Sequence, residues 1–150
     1  RRYGGTAVRR YEFDRKWCGT RGKVLLTWRM VPYDRFTAWK VAHELALTVY
    51  AESETWPLRE RYGITAQIRR AALSAPTNIA EGSAKRGKRE LRRYLDIALG
   101  SLSEVSYLLR FSRDRGILGR EKFAEIDELR NRAGQLTWKL YESLREFHST

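Results

Sequence analysis

The stretch ELRRYLDIALGSLSEVSYLLRF, residues 90–111, decides the fold. Leu91, Leu95, Ala98, Leu102, Val105 and Leu109 recur in alternating steps of four and three. An α-helix turns once in about 3.6 residues, so these side chains form a single apolar seam of the coiled-coil type. Most residues between them are charged or small, which leaves the opposite face to water. A half-buried strand would need a period of two, and none is present. The stretch RDRG, residues 113–116, puts cations in the last turn and a glycine after it, a helix C-terminal signature.

The same period runs outward in both directions. Upstream, Trp39, Ala42, Leu45 and Val49 predict a helix over 36–53. SETWP interrupts it. Pro57 suits the first turn of a new helical segment, and Gly63 ends that short turn. Thr65 is expected to cap a second helix that runs to about Glu81, with Ile64, Ile68, Ala71, Ala75 and Ile79 as its stripe. Pro76 lies inside it, removing a backbone donor and crowding the carbonyl of Ala72. The stripe keeps its phase past Pro76, so a kink is expected rather than a stop. Gly82 is expected to end this helix in the left-handed conformation. Downstream, Phe123, Ile126, Leu129, Ala133, Leu136, Leu140, Leu144 and Phe147 predict a fourth helix over 120–147. Four helices with short connections and no intervening strand give an all-α fold class: an antiparallel up-and-down four-helix bundle.

The first 29 residues differ from the rest. They hold nine Lys/Arg and two acids, a net of +7 out of +12 for the whole chain. Aromatics are scattered (Tyr3, Tyr11, Phe13, Trp17, Trp28), and no period is sustained beyond the short KVLLTW run, residues 23–28. This irregular basic extension reads either as a nucleic-acid-binding arm or as coding upstream of a natural start at Met30, the only methionine. Good patterning begins only after Met30, which favours the second reading and divides the chain into 1–29 and a bundle domain over 30–150. The extension is not a signal peptide, because its apolar run is short and arginines interrupt it.

Composition narrows the function classes. No apolar run approaches the length of a membrane span. The single cysteine, Cys18, excludes an internal disulfide framework and gives no metal spacing, so a reduced, cytoplasmic setting is expected. The net charge favours a polyanionic partner, nucleic acid first, although a solvated basic surface gives the same number. Catalytic groups are sparse. His43, in AHELAL, begins like a zinc-binding HExxH helix, but the position of the second histidine is Leu47. His43 is therefore expected to be a partly buried helix residue, and His148 a solvated one near the C-terminus. In EGSAKRGKRE, Gly82 and Gly87 lead to Lys88-Arg89 rather than to Lys-Ser or Lys-Thr, and no strand precedes them, so a phosphate-cradling P-loop is not supported. The hydroxyls of Ser101, Ser103 and Ser106 have no base nearby in sequence; small residues there suit close helix packing. The reading is no catalytic residue, no metal and no cofactor.

Two features carry chemistry. Gln67, Ser74, Asn78 and Glu81 share one face of the second helix, beside its apolar stripe. Polar groups so placed need partners, and these are expected to hydrogen-bond across helices or to cap the next one. The second feature is a cation cluster of Lys85, Arg86, Lys88, Arg89, Arg92 and Arg93, with Glu90 the acid among them and Arg69 and Arg70 counted as an extension. Charges of one sign at this density repel, and a bound polyanion relieves the repulsion by releasing counterions. A solvated loop partly neutralised by Glu81 and Glu90 is the competing reading.

With helices and loop in view, a resemblance is carried by WKVAHELALTVY, QIRRAALSAPTNIAEG, LDIALGSLSE and LTWKLYESL. The chain resembles the bacterial four helix bundle proteins first noted as reading frames inside intervening sequences of 23S ribosomal RNA genes. The likeness covers about residues 36–144. It implies an antiparallel bundle that assembles into a ring-like homopentamer. It also implies kinship with the accessory proteins of diversity-generating retroelements, basic pentameric bundles that bind a reverse transcriptase and nucleic acid. The family-pattern positions are Gln67, Arg69, Arg70, Asn78, Glu81, Gly82 and Glu90; of these, Gln67, Asn78, Glu81, Gly82 and Glu90 are expected to be structural. One departure is Gly87, where the family commonly has a hydroxyl residue that would complete a capping box with Glu90.

The expected function is a non-enzymatic, oligomeric helical module that binds RNA or an RNA–protein complex through the cation cluster. The alternative is an interaction scaffold whose basic surface docks an acidic protein such as a reverse-transcriptase-like enzyme. A nuclease is a third class, but neither histidine has an arginine at the spacing some helical ribonucleases use. Trp39, Trp56, Tyr94, Tyr107, Phe111 and Trp138 are expected to exceed what one small bundle buries and to mark an assembly interface.

Overall fold

Each element forms where apolar side chains recur at helical spacing, and each ends at a glycine or a break in that spacing. The computed structural model describes residues 31–145. Four helices make up the domain: α1 (Thr37–Ser53), α2 (Ile64–Ala84), α3 (Lys88–Asp114) and α4 (Arg120–Ser143). Short 3-10 turns at Pro32–Arg35 and Leu58–Glu60 precede α1 and α2, and no strand occurs among the described residues. The helices form a closed ring. α1 packs on α2 and α4, α3 packs on α2 and α4, and the backbones of the diagonal pairs stay more than 8 Å apart among the described residues.

Cross-helix pairs show the antiparallel register directly. Gln67 meets Glu104, Ser74 meets Ser101 and Glu81 meets Tyr94, so α3 descends as α2 ascends. Arg113 lies over Phe123 at one end of the α3/α4 pair, and Arg92 lies over Tyr141 at the other. The fold is an antiparallel up-and-down four-helix bundle.

The core is built unequally. Ala42, Ala46, Ala71, Ala72 and Ala75 let α1 and α2 approach closely, while Leu95, Leu102, Val105 and Leu109 fill the centre from α3. All six seam residues of α3 are buried. In α4 only Ile126, Ala133 and Thr137 are buried; Phe123, Leu129, Leu136, Leu140 and Leu144 are half-buried against the cluster. Full burial of a large aliphatic side chain contributes roughly 1.5–3 kcal/mol, and a half-buried one contributes correspondingly less. α4 is thus the least firmly held helix, with apolar surface left over.

Several local expectations need correction. α2 begins at Ile64, with Gly63 rather than Thr65 at the N-cap. Starting there places Ile64 one turn before Ile68 in the core, and Thr65 is buried in the first turn with no partner for its hydroxyl. α2 runs through Pro76, whose ring is buried, and continues past Glu81. Gly82 does not terminate it. Among the described residues only Gly87 (φ 89°) and Gly116 (φ 71°) take positive φ. Gly82 marks instead a close approach of α2 to α3: a Cβ there would sit 2.6 Å from Tyr94 Cβ and 3.2 Å from Leu91 Cδ1. Gly87 makes the turn into α3.

Gly116 takes the position read from RDRG. Its N–H donates to Arg113 O and that of Ile117 to Ser112 O, both at 2.9 Å, the Schellman arrangement that satisfies a helix C-terminus. α4 ends at Ser143, and residues 1–30, with Cys18 and Met30, and 146–150, with Phe147 and His148, lie outside the described residues.

Of the aromatics expected to remain uncovered, only some are exposed. Tyr107 (65% exposed), Trp138 (51%) and Phe111 (41%) face solvent. Trp39 and Tyr94 are half-buried, and Trp56 is buried, 7% exposed, where the α1–α2 connection folds onto the core. His43 is exposed rather than partly buried. It stacks on Trp39, with ring centroids 5.1 Å apart and planes 7° from parallel.

Candidate nucleic-acid interface

The loop between α2 and α3 and the first turns of α3 gather most of the predicted cations at one end of the bundle. Gly87, with no side chain to clash and φ 89°, lets the chain reverse between Lys85 and Lys88. Along α3, Arg92 and Arg93 stand three and four residues after Arg89, and Asp96 four and three after them, so all four border the cleft toward the end of α4. Lys85, Arg86, Lys88 and Arg89 are exposed, and Arg92 is half-buried.

The cations divide by partner. Lys85 Nζ lies 3.4 Å from Glu81 Oε1, and Arg93 Nε donates to Glu90 Oε2 at 3.3 Å. No acid reaches Arg86, Lys88 or Arg89 among the described residues. Lys88 and Arg89 also stand at the N-terminus of α3, where the helix dipole and unpaired N–H groups already present positive charge. This placement opposes folding and favours an anion.

Tyr94 organises the junction. Its hydroxyl donates to Glu81 Oε1 at 2.8 Å, its ring lies 4.6 Å from the Arg93 guanidinium carbon, and Lys85 Nζ is 5.5 Å from its centroid. The Tyr94 hydroxyl, then Lys85, holds the Glu81 carboxyl below its usual value of 4.5; Glu81 in turn holds the Lys85 ammonium above its usual range. Glu81 therefore pairs with a tyrosine and a lysine rather than with an arginine.

The polar face of α2 is taken up by hydrogen bonds within the bundle. Gln67 Nε2 donates to Glu104 Oε1 at 3.3 Å, and the Ser74 and Ser101 hydroxyls share a hydrogen bond of 2.9 Å. Asn78 stays within its own helix, donating to Ser74 O at 2.8 Å and Ser74 Oγ at 3.1 Å, so it supports the Ser74–Ser101 link without crossing to α3 itself. Arg69 is not part of the cluster. Its Nε donates to Ser53 Oγ at 2.7 Å, its Nη2 donates to Tyr50 O at 3.4 Å, and its guanidinium lies 5.0 Å from the Tyr50 ring centroid. These bonds tie α2 to the end of α1. At about 1.5 Å rise per residue, Arg69 and Arg70 are roughly 24 Å along α2 from Lys85.

A cleft of about 720 Å³ adjoins the cluster, between the first turns of α3 and the end of α4. Arg89, Arg92, Arg93 and Arg145 line it together with Glu90, Asp96, Tyr141 and Leu144. The Arg92 guanidinium covers the Tyr141 ring at 4.4 Å, and its buried Nε has no hydrogen-bond partner. Sequence reading missed Tyr141 and Arg145, because the end of α4 reaches the cluster only through the antiparallel fold, and it passed over Asp96, one turn beyond Arg92 on α3. Tyr94 had a signal: an aromatic directly after paired arginines in RRYL.

The profile of the family described as 23S rRNA-intervening sequence protein matches residues 34–139. The chain belongs to this family. A solved structure has the same fold: a protein with unknown function from the S23 ribosomal protein family, from Bacteroides thetaiotaomicron VPI-5482. It shares 19% sequence identity at a TM-score of 0.66, over 70% of this chain and 95% of the other. No curated protein matches the chain. The matched span includes the polar face of α2, the whole loop and the cations of α3; Tyr141 and Arg145 lie just beyond it. Among the described residues no cluster of His, Cys, Asp and Glu is placed to hold a metal, and no helix is long and apolar enough to cross a membrane.

Proposed function

We propose that this family member is a non-enzymatic, oligomeric helical module of the cytoplasm that binds RNA, or an RNA–protein complex, through the α2–α3 loop and the start of α3. The observation that carries this reading is the set Arg86, Lys88 and Arg89, exposed and without acid partners at a helix N-terminus. Phosphates are the natural complement of such a surface, and they are gripped without regard to base sequence. Ultraviolet crosslinking in cells that express the protein tests it. RNA should be recovered on peptides from residues 85–93. Recovery of protein partners alone would move the reading to a scaffold that docks an acidic protein.

Assembly is the second half of the proposal. The homopentamer implied by resemblance needs surface to bury, and the outer faces of α3 and α4 offer Tyr107, Phe111 and Trp138. Gly100 and Gly134 floor a shallow groove between these helices, with Trp138 at its side. A head-to-tail ring would cover such a face on every subunit.

A further inference from the structure

The cleft beside the cation cluster is not built for phosphate alone. Trp138 and Tyr141 are stacked, with centroids 5.4 Å apart and planes 22° from parallel, and Arg92 covers Tyr141. Tyr141 is thus the ring that both Trp138 and Arg92 lie against, and the Tyr141–Arg92 pair forms a short column that lines the cleft. A guanidinium is planar and weakly hydrated, so it stacks on π-systems in a way that an ammonium cannot. Glu90 and Asp96 share the lining with the arginines. Glu90 is engaged by Arg93, but Asp96 makes no ion pair among the described residues. A bare carboxylate would repel a phosphate, whereas it accepts hydrogen bonds from the exocyclic amino group of a base. The volume of about 720 Å³ also lies within the range of small-ligand clefts, about 300–1,000 Å³.

We infer that this cleft receives one unpaired nucleobase of a single-stranded RNA. The base extends the column by stacking on Arg92 and turns its amino edge to Asp96, while Arg89 and Arg93 hold the flanking phosphates. The inference rests on the RNA reading above and adds to it a preference for single strands, because a base stacked and paired within a duplex cannot enter.

The test compares a short oligocytidylate strand with a blunt RNA hairpin closed by a non-nucleotide linker, which offers no unpaired base, using the full chain. The parent should bind the strand more tightly than the hairpin. Arg92→Lys keeps the charge and removes the plane. It should weaken strand binding about tenfold, as expected when one base stack is removed, with a much smaller effect on the hairpin. Tyr141→Leu, which breaks the column and leaves the arginine, should do the same, and it serves if Arg92→Lys loses helical circular dichroism. Equal losses on both probes would overturn the base site and leave the phosphate surface standing, as would a parent that binds hairpin and strand alike. A parent that binds neither probe would overturn both readings.

Discussion

At the scale of single residues, two glycines in one stretch do different work. Gly82 is required by distance: an added Cβ would lie 2.6 Å from the Cβ of Tyr94, which is anchored by its bond to Glu81. Gly82→Ala should destabilise the bundle by about 1–3 kcal/mol, as overpacking does. Gly87 is required by φ, with nothing within 4 Å of its absent Cβ. Gly87→Ala should cost about 1 kcal/mol from backbone strain, without disturbing α2–α3 packing. Urea titration of both variants separates the mechanisms, because only the first should also break the Glu81–Tyr94 hydrogen bond. Glu81 gives a pH signature. Its folded carboxyl is held below the usual 4.5 by Tyr94 and Lys85. The stability it adds is thus fully present above the unfolded value and is lost as pH falls through the depressed folded value. Thermal melts of Glu81→Gln should show less acid destabilisation below pH about 4.5 than the parent. Equal acid limbs would remove Glu81 from that account. The sequence located both glycines but misassigned Gly82, since helix termination and close helix packing call for the same residue.

At the scale of elements, α3 was legible from end to end, because its seam, its closing cations and Gly116 all agree. The polar face of α2 was legible as well, though not its wiring: spacing shows that Gln67, Ser74, Asn78 and Glu81 share a face, not that Asn78 bonds within it. Counting Arg69 as an extension of the cation cluster left axial distance out, since Arg69 lies roughly 24 Å along α2 from Lys85. Arg69 in fact clamps α1 to α2. The start of α3 yields a prediction that a purely structural role would not make. Lys88 and Arg89 stand at the positive end of the helix dipole without acid partners. Replacing both with glutamine should raise stability at low ionic strength, by about 0.3–1 kcal/mol per charge, with the gain fading in salt. Calorimetry at low and high salt measures it; a drop in stability at low salt would show these side chains to be structural.

At the scale of the whole molecule, the cation cluster and two of the exposed aromatics lie toward opposite ends of α3 among the described residues. Cations and the arginine-lined cleft occupy the end formed by the α2–α3 loop, while Tyr107 and Phe111 lie toward the far end of α3. Trp138 belongs to both proposals: it flanks the groove offered for assembly and stacks on Tyr141 beside the cleft. Trp138→Glu combined with Phe111→Glu should dissociate the oligomer in light scattering at micromolar concentration, while helical circular dichroism persists. A parent that is already monomeric would refute assembly. The end-to-end meeting of α3 with α4 that forms the cleft follows from topology, so no local pattern in the sequence pointed to it. The central claim is that the cluster grips phosphates, and the direct test is RNA affinity as a function of salt for the parent and for the variant with Lys85, Arg86, Lys88 and Arg89 all changed to glutamine. The account predicts that the variant folds, binds every RNA more weakly and has a log–log slope shallower by roughly 0.7–0.9 for each phosphate no longer neutralised. Identical slopes for parent and variant would contradict it.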